Sequence, residues 1–86
     1  MRFRRLSGFN DAYDELTPGD RKRVNKALRL LVENWRHPGL HVKSVRGMPD
    51  VWEARASLSL RVTFQLDGDL IILRSVGSHD KTLKDA

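Results

Sequence analysis

The chain has 86 residues, no cysteine, and 16 Lys and Arg against 11 Asp and Glu, for a net charge of +5. One domain spanning 1–86 is expected, near the lower size at which a single core holds without staples. A disulfide framework and a thiolate metal site are excluded, and no apolar run approaches the roughly 20 residues needed to span a bilayer. The basic balance favours polyanions or an acidic protein as partner. Met1-Arg2-Phe3-Arg4-Arg5 is not followed by a long apolar core, so no secretion signal is expected and the setting is taken as cytoplasmic.

Arg2 to Leu6 reads as a short first strand with Phe3 pointing inward. Ser7 or Asn10 can cap a brief helix, and Phe9, Ala12, Tyr13 and Leu16 then make one apolar stripe at i, i+3, i+4 and i+7. Thr17-Pro18-Gly19-Asp20 is a helix start, with Thr17 as cap and Pro18 in the first turn, where its missing N–H costs nothing. The second helix is expected to run to about Trp35, burying Val24, Ala27, Leu28, Leu31 and Trp35 and leaving Arg23, Lys26 and Arg29 on a basic outer face. His37-Pro38-Gly39 stops it. His37 and His41 flank that turn and read as loop residues, since a metal pair on an ordered helix would carry no proline between them. A strand is expected near Val42 to Arg46, where Lys43 and Arg46 extend the basic surface.

Three more β-favouring runs follow the turn Gly47-Met48-Pro49-Asp50, a Ser57-Leu58-Ser59 turn and Leu66-Asp67-Gly68-Asp69. Trp52, Ala54 and Ala56 alternate with Glu53, Arg55 and Ser57; Leu60, Val62, Phe64 and Leu66 alternate with Arg61, Thr63, Gln65 and Asp67. A period of two gives each strand one apolar and one polar face, so Glu53, Arg55 and Arg61 share a side. Trp52 and Trp35 read as core. The run LIILRSV from Leu70 to Val76 is apolar at consecutive positions, as in a strand covered on both sides, and ends at Gly77-Ser78-His79-Asp80. The order strand, two helices, three strands is that of an α+β domain, an N-terminal strand and helical hairpin packed on an antiparallel β-sheet with its polar face open.

Arg46-Gly47-Met48-Pro49-Asp50, the strand led by Trp52, Leu60-Arg61-Val62-Thr63-Phe64-Gln65 and Ser75-Val76-Gly77 together resemble the RelE/ParE toxin superfamily, and its RelE branch most, over nearly the whole chain. A histidine after Val-Gly is similar to the YafQ-type branch. The resemblance implies the toxin of a toxin–antitoxin system, entering the ribosome and cutting mRNA without a metal or other cofactor. Its partners would be a cognate antitoxin, the ribosome and mRNA, with no membrane. In that chemistry the ribose 2′-hydroxyl attacks the neighbouring phosphorus, which calls for a base, cations around the phosphorane and an acid at the leaving oxygen.

The catalytic positions that the resemblance implies are Arg61 as phosphate stabiliser, Arg55, Glu53 and His79. Arginine stays protonated, so the base would be Glu53 or His79. Arg23, Lys26, Arg29, Lys43 and Arg46 would contact RNA or the ribosome. Unlike RelE, the chain carries no aromatic residue after Phe64. Two alternatives share the fold: inhibition of DNA gyrase in the manner of ParE, and a degenerate member that binds its antitoxin without being toxic.

Overall fold

The computed structural model describes residues 2–78 and Thr82. Its elements are β1 (Arg2–Arg5), α1 (Ser7–Asp14), α2 (Pro18–Glu33), a short 3-10 turn (Pro38–Leu40), β2 (Lys43–Val45), β3 (Met48–Arg55), β4 (Arg61–Asp67) and β5 (Leu70–Gly77). No helix among the described residues is long and apolar enough to cross a membrane.

The second helix starts as its residues dictate. The Thr17 hydroxyl accepts from the Asp20 N–H at 3.2 Å, and Pro18 occupies the first turn. Thr17→Ala is expected to cost about 1 kcal/mol, read as a fall in Tm of about 4–8 °C for a domain of this size. Two details differ from expectation. Helix α1 is preceded by Leu6, with no side-chain cap, so neither Ser7 nor Asn10 caps it. Helix α2 ends at Glu33, and Trp35 packs on the core from the turn that follows.

The helices bury one face of a five-stranded sheet of order β1-β5-β4-β3-β2. Phe9, Val24, Ala27, Leu28 and Leu31 meet Ala54, Val62, Phe64, Ile71, Leu73 and Val76 in one cluster. Each such fully buried Val, Leu, Ile or Phe side chain contributes about 1.5–3 kcal/mol from removal of apolar surface. The apolar halves of the expected alternation share a face because Ala54 pairs with Val62 and Val62 with Val76, while Trp52 pairs with Phe64 and Phe64 with Leu73.

The sheet is mixed, not wholly antiparallel. Strands β2 to β5 form an antiparallel meander, and β1 adds to β5 in parallel, Phe3 opposite Ile71. Three reversals make β5 run opposite to β2, so the helical segment between β1 and β2 reverses the chain once and delivers β1 to the open side of β5.

The hairpin between β2 and β3 is also tighter than expected. Arg46 and Gly47 alone form its turn, with Gly47 at φ +82°, and Met48, Pro49 and Asp50 already belong to β3. A left-handed φ at that point suits glycine, which has no Cβ to clash.

Strand β5 carries a bulge that its apolar run hides. Thr63 pairs with Ser75 and Phe64 with Leu73, leaving Arg74 as the extra residue. The bulge moves the strand's apolar side: Ile71 and Leu73 face the core before it, Val76 after it, and Ser75 and Gly77 turn to the polar face. Arg74 Nη1 donates to Gln65 Oε1 at 2.6 Å.

Candidate functional site

Two rows of side chains cross the polar face. In the first, Lys43, Glu53, Thr63 and Ser75 stand opposite one another on β2, β3, β4 and β5; in the second, Arg55, Arg61 and Gly77 do so on β3, β4 and β5. The sheet thus brings Glu53, Arg55 and Arg61 to neighbouring positions, as the alternation implies.

This face is not open along the first row. Glu53 is 2% exposed, Thr63 0% and Ser75 5%, against the expectation of a solvated surface. The Thr63 and Ser75 hydroxyls bond each other at 2.7 Å, and the Glu53 carboxylate meets Arg61 Nε at 3.5 Å and Lys43 Nζ at 3.9 Å. A carboxylate removed from water is tolerable only with such cations beside it. Alternation shows which residues share a face and is silent on whether that face is covered. Thr82 is buried as well, and its N–H donates to the Ser78 carbonyl at 2.9 Å.

Arg61 is held from two sides. Its Nη1 donates to the carbonyls of Ser57, Leu58 and Leu60 at 2.7, 3.0 and 3.1 Å, and its Nε faces Glu53. The side chain, 12% exposed, closes the loop between β3 and β4 without entering the apolar core. Only Nη2 has no acceptor among the described residues. Five fixed donors in one plane make arginine suited to this double duty, part anchor and part free edge.

Arg55, past the last pair between β2 and β3, also lines a recess with Arg23, Lys26 and His37 beside α2, and its buried Nε has no hydrogen-bond partner among the described residues. Of the other cations expected to meet RNA, Lys26, Arg29 and Arg46 are exposed, and Arg23 shares Asp20 at 3.1 Å. Lys43 is committed in part to Glu53. His79 and Asp80 lie outside the described residues. The strand leading to them is described: Gly77 pairs with Arg61 at the end of β5.

Sequence reasoning missed the Thr63–Ser75 pair, whose small hydroxyls carry no pattern of their own, and Lys43 as a partner of Glu53. It also placed both tryptophans wholly in the core. Each is half-buried: Trp35 packs on Trp52 at 5.2 Å and on Phe64 at 6.4 Å, and both indoles border a recess of about 360 Å³. His37 Nδ1 accepts the Gly39 N–H at 3.0 Å, which makes it a loop residue, as its place before Pro38 implies.

No family model matches the sequence, and no curated protein matches it either. Solved structures do match. YafQ from E. coli strain BL21(DE3) superposes with a TM-score of 0.79 at 10% identity, over 93% of this chain and 94% of that one. A chain of the RelB–RelE antitoxin–toxin complex from Methanococcus jannaschii gives 0.72 at 18% identity, over 93% and 94%. YoeB from Staphylococcus aureus, solved as a dimer, gives 0.70 at 18%, over 92% and 97%. Two helices on a five-stranded sheet, matched over 92–93% of the chain by these structures, give this chain the α+β fold that YafQ, RelE and YoeB share.

Proposed function

We propose that the chain is the toxin of a toxin–antitoxin pair and acts as a metal-independent, ribosome-dependent mRNA endonuclease in the cytoplasm, kept silent by its antitoxin. The observation that carries this is the second polar row. A cation held rigid by Glu53 and three carbonyls stands opposite Gly77, two residues before His79. The fold shared with YafQ, RelE and YoeB supports the toxin role, and the RelB–RelE complexes among the similar structures support an antitoxin as partner.

In this proposal the mRNA 2′-oxygen attacks phosphorus while its proton passes to His79. The bond to the 5′-oxygen breaks, and that oxygen takes up a proton from water, leaving a 2′,3′-cyclic phosphate and a free 5′-hydroxyl. Arg61 offers Nη2 to the phosphorane oxygens. Because its other donors are already fixed, little reorganisation is needed as charge develops. Glu53 holds Arg61 and is not the base, because a side chain 3% exposed cannot come within hydrogen-bond reach of a ribose hydroxyl.

The test is induction of the chain in cells with and without ribosome inhibitors, followed by primer extension on mRNA. Discrete cuts with growth arrest are expected. Arrest with intact mRNA and a DNA-damage response would replace this reading with gyrase inhibition. The full engagement of Arg61 Nη1 favours a second reading, a member that binds its antitoxin and cuts nothing; harmless expression of the folded chain would establish it.

A further inference from the structure

Two recesses share His37, one of them beside α2 and the other beyond its end, and they differ in chemistry. One, of about 360 Å³, is bordered by Trp35, Trp52 and His41; the other, of about 320 Å³, by Arg23, Lys26 and Arg55. His37 belongs to the walls of both. Each lies near the lower end of the size range of ligand pockets, about 300 Å³.

The aromatic recess has indole surface to offer. The Trp35 and Trp52 planes are inclined at 59°, so the rings make a wedge instead of covering each other face to face. Arg36 stacks on Trp35 at 4.6 Å, adding positive charge at the rim. His41, at φ 47°, is the only non-glycine residue with a left-handed backbone among those described. Such strain collects where a side chain is held for a purpose.

The second recess is cationic. Neither Lys26 nor Arg55 has an ion pair or hydrogen bond among the described residues, and Arg55 Nε is stripped of water with no acceptor. Its remaining walls include Ala27, Leu30 and Leu40, whose low polarity strengthens any charge interaction made there. An anion would relieve both the crowding of like charges and the uncompensated guanidinium. Between the recesses, His37 accepts through Nδ1, so its neutral ring carries its proton on Nε2 and has a donor left for an oxygen.

We infer that the two recesses form one binding site for single-stranded nucleic acid: a base rests on Trp35 and Trp52, the adjoining phosphate lies on Lys26 and Arg55, and His37 spans the sugar-phosphate step between them. Aromatic platforms beside a cationic groove are what sequence-tolerant binding of single strands requires. The site borders the Glu53–Arg61 network, with Arg55 opposite Arg61, but shares none of its hydrogen bonds or ion pairs. It needs neither the ribosome nor His79, so it goes beyond the cleavage reading and survives that reading's failure.

The test uses the full chain and its own fluorescence, since its two tryptophans both border the site. Titration with an RNA hexamer, and separately a DNA hexamer, is expected to give saturable quenching. A tighter response to RNA would add contact to the 2′-hydroxyl, and equal responses would mean base and phosphate alone. Affinity should fall with salt by a log–log slope of about −0.7 for each phosphate held. Lys26→Glu, at an exposed position, should weaken binding by about tenfold and flatten that slope, with an unchanged circular dichroism melt. Lys22→Glu, the same change at an exposed residue of α2 that lines neither recess, should bind as the parent does. Absence of quenching, an unchanged affinity in Lys26→Glu, loss of binding in Lys22→Glu, or an equal response to duplex RNA or to hexaglutamate would each overturn the assignment.

Discussion

Arg61→Met is expected to destabilise the fold by about 3 kcal/mol and to abolish mRNA cleavage. The stability loss comes from Glu53. With the guanidinium gone, a carboxylate 2% exposed loses its nearer cation and keeps Lys43, at 3.9 Å and on a side chain 64% exposed. Removing one partner of a buried pair costs about 3–5 kcal/mol because the other charge stays behind, and the lysine holds the effect to the lower end of that range. The carbonyls of Ser57, Leu58 and Leu60 lose their common donor as well, though Leu58, 86% exposed, sits where water can replace it. Urea denaturation measures the loss. The double variant Arg61→Met with Glu53→Gln should cost less than the two single changes summed, by about 1–2 kcal/mol, because both remove one interaction. Arg61→Lys should fall between parent and Arg61→Met, since one ammonium cannot face three carbonyls and a carboxylate in one plane. A loss below about 1 kcal/mol for Arg61→Met would mean a solvated surface pair, which is worth no more than that.

The burial of Glu53 is also where the sequence stopped being legible. Alternation along Leu60 to Asp67 placed Val62 and Phe64 in the core and Arg61 and Thr63 opposite them, and the pairings bear this out. The same alternation placed Glu53 beside Arg61 correctly. It could not tell a covered face from an open one, because a row of Lys, Glu, Thr and Ser is as consistent with a satisfied buried network as with a solvated one. The helix start at Thr17 was legible because capping is local, decided within four residues. The parallel pairing of β1 with β5 was not, because partner choice depends on where the whole chain returns. Nor was the bulge at Arg74, since consecutive apolar residues from Leu70 to Leu73 fit either phase of the alternation. Arg55 shows a further limit. Register aligns it with Arg61, yet it stands past the end of β2 with no neighbouring strand on that side, and it also lines the recess beside α2.

His79→Ala is expected to lower ribosome-dependent cleavage by about 10²–10⁴-fold, the usual worth of a positioned general base. The partner variant is Glu53→Gln, and the two should differ in kind. Glutamine keeps the size of the side chain and an oxygen facing Arg61 Nε, so it relaxes the hold on the guanidinium without removing it; the rate should fall less than for His79→Ala. The pH profile separates the roles. An imidazole acts as a base only when deprotonated, so the parent rate should rise with pH across the range where histidine loses its proton. Glu53→Gln should lower that curve at every pH and keep its shape, as expected of a residue that positions another. His79→Ala should flatten it. If instead Glu53→Gln removed the pH dependence and His79→Ala preserved it, the carboxylate would have to be the base. The first row of the polar face would then have to open on the ribosome to let a ribose hydroxyl reach a side chain that is 3% exposed in the free chain.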